Sequence, residues 1–105
     1  MATLKVDGKD VELNEDGFLA RPEEWSENVA RAFALLDNIS ELNDDHWKVI
    51  WYLRDYYERF RIAPMIRKLC KDTGLTLKEM ERLFPSGPAK GACKLAGLPK
   101  PTGCL

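Results

Sequence analysis

Two of the three cysteines in this 105-residue chain, Cys93 and Cys104, fall in the run from Gly87 to Leu105. Cys104 is the second-to-last residue. It sits on a stretch punctuated by Gly97, Pro99, Pro101 and Gly103, which can neither continue a helix nor lie in a central strand. A thiol on such a tail adds almost nothing to a core, so its use must be chemical. Cys93 lies in a short helix-like run where Ala89, Ala92, Cys93 and Ala96 share a face of small side chains. Taken alone, Cys93 reads first as a small buried hydrophobe, which cysteine often is. The spacing keeps a second use open. Eleven residue steps of about 3.5 Å allow the tail to loop back to the roughly 5.5 Å Cα separation of a disulfide. Closing so short a loop costs little. A thiol that reaches outward and returns to a second thiol has the layout of a redox or sulfur-transfer device. Lys90, Lys94 and Lys100 surround the pair; their charges favour thiolate and attract anionic sulfur species, while the carboxylate beside Cys104 acts the other way.

The remaining reactive side chains point elsewhere. Cys70 falls on the apolar face of a helix and is expected in the core. The cysteines and His46 lack the close-paired spacing of a zinc site, so no metal is expected, and His46 is placed on the surface near a helix start. Cys104 is not fourth from the end, which excludes a prenylation signal. There is no Ser-His-Asp set, phosphate-binding glycine loop or dinucleotide fingerprint. Acidic pairs occur in the first turns of helices, where capping explains them.

The length suits one domain over 1–105, with 98–105 expected as a mobile C-terminal arm. No apolar stretch is long enough to cross a bilayer, the N-terminus lacks a signal-type h-region, and a cytoplasmic protein is expected. The net charge of -1 gives no overall pull toward nucleic acid or membrane. Its distribution is uneven, however. Residues 1–58 hold 6 Lys/Arg against 14 Asp/Glu, and residues 59–105 hold 10 against 3. The basic half can serve charge balance within the molecule or docking to an acidic partner.

The elements that must position the thiols follow from periodicity. Leu4 and Val6, then Val11 and Leu13, alternate around Asp7-Gly8-Lys9, which predicts a β-hairpin. Asn14–Gly17 is a second turn. Pro22 is expected at the first position of a helix running to about Asp37, with Trp25, Val29, Ala32, Phe33 and Leu36 inward. Asn43 caps a long helix to about Phe60, with Trp47, Val49, Ile50, Leu53, Tyr56, Tyr57 and Phe60 in a wide apolar arc and Leu42 as a staple on Trp47. The other tryptophans and tyrosines are also expected in the core. Pro64 opens a third helix with Met65, Ile66, Leu69 and Cys70 on one face and Gly74 at its end. Thr76 and Glu79 form a capping box, with Leu75 and Met80 as staple, for a fourth helix that carries Leu83 and Phe84 inward. The third and fourth helices have helix-turn-helix spacing. Pro88 opens a fifth helix ending near Gly97. The fold class is thus mainly α (α+β): a small helical bundle with a helix-turn-helix, an N-terminal β-hairpin and a flexible C-terminal arm.

The run from Leu83 through Phe84-Pro85-Ser86-Gly87-Pro88 and Gly91-Ala92-Cys93 to Pro99-Lys100-Pro101-Thr102-Gly103-Cys104 resembles the C-terminal signature of the DsrC family, the gamma subunits of dissimilatory sulfite reductase. The resemblance continues through Asp16–Leu19, His46-Trp47, Leu53–Tyr57 and Ile62–Pro64. It implies a sulfur carrier that acts as co-substrate of the reductase and is not itself an enzyme. Carried over, Cys104 is the sulfur-accepting thiol and Cys93 the second thiol, with Lys90, Lys94 and Lys100 as supporting charges. The implied partners are the alpha and beta subunits of dissimilatory sulfite reductase and a membrane-bound electron-transfer complex that reduces a trisulfide or disulfide between Cys93 and Cys104. Sulfurtransferases are further partners the resemblance allows. The sirohaem and iron-sulfur clusters belong to the partner, and this chain is expected to bind no cofactor. The related TusE branch relays sulfur to tRNA thiolation and typically keeps only the terminal-side cysteine, so both thiols favour DsrC proper. No insertion lies between Leu77 and Phe84, which leans toward sulfite reduction over sulfur oxidation. The alternatives are a TusE-like relay, a carrier in sulfur oxidation and, from another class, a DNA-binding regulator. For the last, Thr76, Lys78, Glu79 and Arg82 are weak base readers, which argues against DNA as a partner.

Overall fold

The structure, a computed structural model, describes residues 3–88 and 90–99. Strands β1 (Thr3–Val6) and β2 (Lys9–Glu12) pair antiparallel with Leu4 opposite Val11 and Val6 opposite Lys9. Asp7 and Gly8 both take positive φ, 53° and 80°, the backbone of the tight turn that matches strand twist. Leu4, Val6, Val11 and Leu13 are buried, so the hairpin lies on the helices as its alternation required. The Asn14 side chain closes the next turn, accepting from the Asp16 and Phe18 N–H groups.

Five helices follow: α1 (Glu27–Leu36), α2 (Asp44–Phe60), α3 (Ile66–Thr73), α4 (Leu77–Leu83) and α5 (Lys90–Leu95). Phe18, Phe33, Ile50, Leu53, Met80 and Phe84 are fully buried at the centre. Each such side chain contributes about 2 kcal/mol by leaving water. Asn43 caps α2 and Thr76 caps α4, both in complete capping boxes. Leu75 and Met80 are buried beside the second box. The Tyr52 hydroxyl donates to Asp72 and ties α2 to α3. That bond, with Lys68, holds the Asp72 carboxyl below its ordinary range.

Several expectations are corrected. Pro22 does not start α1. Pro22–Glu24 form one separate 3-10 turn, the chain extends at Trp25, and α1 begins at Glu27 behind Ser26, whose hydroxyl accepts from the Val29 N–H. Trp25 leaves the helix because its indole N–H donates to the Leu95 carbonyl of α5 at 2.9 Å. Leu36, Trp51, Phe60 and Met65, all expected inward, are exposed. The apolar arc of α2 is real, but its last turns run past the elements that could cover them. Pro88 is in a turn ahead of α5, whose first residue is Lys90. Leu98, expected to open the arm, is 3% exposed and belongs to the core.

His46 is also not a surface residue, being 5% exposed. Its Nδ1 accepts from the Asn43 N–H at 3.1 Å, so Nε2 carries the proton and donates to the Leu83 carbonyl at 2.8 Å. Its ring meets Phe84 edge-on. One side chain thus completes a cap and ties the start of α2 to the end of α4. His46→Ala is expected to destabilise the fold by about 2 kcal/mol, since it leaves the half-buried Leu83 carbonyl without its partner and opens space beside Phe84. Equilibrium denaturant unfolding checks this; an unchanged midpoint would refute it.

Candidate functional site

Helix α5 carries Cys93 and has little reason to exist alone. It has six residues, one of them glycine, where an isolated helix needs roughly twice that length. Its neighbours hold it. Ala92, Cys93, Leu95 and Ala96 are buried, and α5 packs on α1 and α2. Cys93 itself is 1% exposed, as its small-residue face required.

The C-terminal end of α5 is fixed carbonyl by carbonyl. The Leu98 N–H donates to the Cys93 carbonyl at 3.0 Å, and the Gly97 N–H to the Lys94 carbonyl at 3.1 Å. With Gly97 at φ 75°, this is a Schellman motif. The next two carbonyls are taken by side chains from distant elements. Trp25 donates to Leu95, and Arg54 of α2 donates through Nη1 to Ala96 at 2.8 Å. All of the carbonyls that a helix end leaves open are therefore partnered. Arg54 also lies over the Trp25 ring, 4.0 Å from its centroid, while Trp51 meets Trp25 edge-on. Burial lowers the Arg54 guanidinium from its ordinary value, but two functions, a cap and a cation over an aromatic face, hold it there. The anchor reaches through Leu98, and the chain leaves it beside a groove of about 580 Å³ lined by Trp51, Arg54, Tyr57, Arg61, Gly97 and Leu98.

The supporting lysines have different surroundings. Lys94 is half-buried, with its ammonium 5.6 Å from the centre of the Phe18 ring, whereas Lys90 is exposed. Cys104 and Lys100 lie outside the described residues, so the pairing of Cys93 with Cys104 rests on the sequence. Cys70 is half-buried in place of a full core position, and burial raises its thiol, the wrong direction for a nucleophile. In the helix-turn-helix of α3 and α4, Thr76 and Glu79 bond each other's backbone N–H groups, which removes them as base readers.

Sequence reasoning read Gly97 as the end of this helix, as the structure has it, but assigned no role to Trp25 or Arg54 in the anchor. Arg54 carried a signal. It stands four residues after Ile50 and three before Tyr57, a cation inside an apolar face of α2. The contact between Gly97 and Trp25 carried none, because it joins residues far apart in the chain.

A family model described as DsrC like protein matches residues 5–105. The chain belongs to the DsrC family. It is 51% identical, over the full length of both chains, to the protein named sulfite reductase, dissimilatory-type subunit gamma, of Nitratidesulfovibrio vulgaris (strain Hildenborough). It is 45% identical to a sulfurtransferase TusE homolog of Haemophilus influenzae, covering 97% of this chain and 99% of the relative. A chain in the crystal structure of dissimilatory sulfite reductase I superposes with a TM-score of 0.90 at 48% identity, covering 99% of this chain and 100% of that one. The resemblance drawn from the tail signature and the mainly helical fold with its hairpin both hold. Among the described residues of this DsrC family member, no helix is long and apolar enough to cross a membrane.

Proposed function

We propose that this chain is a sulfur carrier that serves as the protein co-substrate of a dissimilatory sulfite reductase. The observation that carries the reading is the 51% full-length identity to a gamma subunit of that enzyme, in a chain that holds both tail thiols, Cys93 and Cys104. The anchor supports it. With α5 pinned through Leu98, the residues from Pro99 to Cys104 have a covalent reach of roughly 20 Å, enough to enter a partner's channel. Cys104 accepts a partly reduced sulfur from the reductase as a Cys–S–S–OH group. The Cys93 thiol attacks that outer sulfur, its proton leaves with the hydroxyl as water, and a trisulfide joins Cys93 to Cys104. Two electron pairs and four protons from a membrane electron-transfer complex then release hydrogen sulfide and restore both thiols. Because Cys93 is buried, exchange requires a local opening of the anchor, short of global unfolding.

In this reading the chain carries sulfur and is no enzyme on its own. The sirohaem and iron-sulfur clusters sit in the reductase, and this chain supplies only thiols. Lys90, Lys94 and Lys100 put positive charge along the chain near the tail, which attracts anionic sulfur species, and the reducing cytoplasm is where such thiols stay available. A second reading follows from the identity to the TusE homolog: a relay that passes a persulfide from Cys104 to another sulfurtransferase.

Mass spectrometry separates the two. After turnover with sulfite reductase and limiting sulfite, the chain is expected to gain one sulfur and lose two hydrogens, with fragments bridging Cys93 and Cys104. Cys93→Ala is expected to stop at one added sulfur on Cys104, held as Cys–S–S–OH or, once the reductase supplies a further electron pair and two protons and water leaves, as the persulfide. No added sulfur, or sulfur on Cys70 alone, would overturn the assignment. A persulfide equally abundant in both proteins and handed on without a bridge decides for the relay.

A further inference from the structure

We propose that the knuckle joining α2 to α3 is the surface by which the sulfur-donating reductase grips the body of this chain, and that the reductase meets it with an apolar pocket rimmed by acidic side chains. The proposal rests on the carrier reading above and adds a place to it.

Three large apolar side chains stand exposed within this short stretch: Phe60 at 57%, Ile62 at 61% and Met65 at 61%. None contributes to the core, and exposed apolar groups clustered this way mark interaction sites. The segment is nonetheless well fixed. Arg61 takes the left-handed conformation, φ 61°, which a non-glycine side chain adopts at some expense, and its N–H donates to the Tyr57 carbonyl at 2.7 Å. Ala63 is half-buried and Pro64 is buried, so the knuckle is pinned beneath while Ile62 and Met65 face solvent on either side. A surface already held in shape loses little freedom when a partner covers it.

Charge gives the chemistry of the partner. Arg59 is held by Asp55 at 3.4 Å and Lys68 by Asp72 at 3.1 Å. Arg61 and Arg67 are exposed and form no ion pair among the described residues. Two unmatched cations therefore flank the apolar side chains, in the half of the chain that carries 10 basic residues against 3 acidic ones. Such a surface steers toward an acidic one.

Position ties the surface to the tail. Arg61 and Tyr57 line the same groove as Gly97 and Leu98, where the anchor of α5 ends. Asp55 and Glu58 also line it, so the positive charge offered to a partner lies on the knuckle side, at Arg61 and Arg67, and not along the groove. A reductase seated on the knuckle meets the root of the tail, and holding the body there turns delivery of the Cys104 thiol into an intramolecular search. A docking surface of a few apolar side chains suits a carrier that must leave after each transfer.

The test is binding of the full chain to purified sulfite reductase, read by calorimetry at low salt. Ile62→Glu with Met65→Glu is expected to weaken binding about tenfold or more, and Arg67→Glu about threefold or more. The same double change at the exposed Leu35 and Leu36 of α1 is expected to alter binding by less than about twofold. All variants are expected to unfold at the parent midpoint and to take up sulfur on Cys104 from inorganic polysulfide as the parent does, so weakened binding reports docking alone. Undiminished binding of the knuckle variants, or equal losses at Leu35 and Leu36, overturns the knuckle and leaves the carrier reading standing. Failure of the parent chain itself to bind the reductase overturns both.

Discussion

Replacing Cys104 with alanine is expected to abolish sulfur loading while leaving stability where it stands in the parent chain. Among the described residues the last apolar member of the core is Leu98, 3% exposed, and the carbonyls at the end of α5 find all their partners at or before that residue. The substitution is therefore expected to remove chemistry and to leave the anchor of α5 in place. Cys93→Ala differs in kind. It deletes a sulfur from a site 1% exposed and is expected to destabilise the chain by about 1 kcal/mol besides losing the bridge. The carrier reading thus predicts two unlike defects from two thiols. In Cys104→Ala, sulfide release through the carrier falls about a hundredfold or more, because thiol exchange has no first acceptor. Sulfide assay, mass spectrometry and denaturant unfolding on the same preparation check it. Normal sulfur uptake in Cys104→Ala, with Cys93 as acceptor, would invert the assigned roles.

The parts of the fold that were legible before the structure are those set by near neighbours in the chain. The Asp7-Gly8 turn, the Asn43 and Thr76 caps and the end of α3 at Gly74 each depend on a few consecutive residues. What misled was decided by tertiary contact. Pro22 and the glutamates after it carry every local sign of a helix start. Trp25 nevertheless turns out of the helix to reach Leu95, seventy residues away. His46 has the sequence signature of a surface N-terminal residue, yet the Leu83 carbonyl and the Phe84 ring bury it. Phe60 follows the apolar period of α2 and still faces solvent, because periodicity gives a face and not the length over which that face is covered. Met65, read into the third helix, is the extended residue ahead of α3. The site divides the same way. Its thiols were visible as a spacing and a tail composition. Its anchor, Trp25 and Arg54 on the end of α5, was not, because two side chains from separate elements converge on adjacent carbonyls only in the folded chain.

That convergence makes Gly97→Ala the most damaging small substitution expected in this chain. Gly97 takes φ 75°, and a Cβ there would stand 2.5 Å from Trp25 Cδ1, 3.0 Å from its Cγ and 3.2 Å from Leu19 Cδ2. Trp25 cannot yield without stretching its bond to Leu95 or sliding from under Arg54, which lies 4.0 Å from the ring centroid. Gly74 provides the control within the same molecule. Its φ is 77°, but a Cβ there would meet nothing within 4 Å. Gly74→Ala therefore bears only the left-handed conformation, about 1 kcal/mol, whereas Gly97→Ala adds steric overlap for a total of about 3 kcal/mol or more. The expected fall in Tm for Gly97→Ala is roughly 15 °C, against roughly 5 °C for Gly74→Ala. The two should also differ in thiol exposure. Loosening the end of α5 admits solvent to Cys93, so alkylation of Cys93 in the folded protein should accelerate in Gly97→Ala and not in Gly74→Ala. Equal losses in the two variants would show that backbone conformation alone sets the need for glycine at 97. A larger loss confined to Gly97→Ala, with Cys93 newly reactive, would tie the buried thiol to the contact between Trp25 and the last turn of α5.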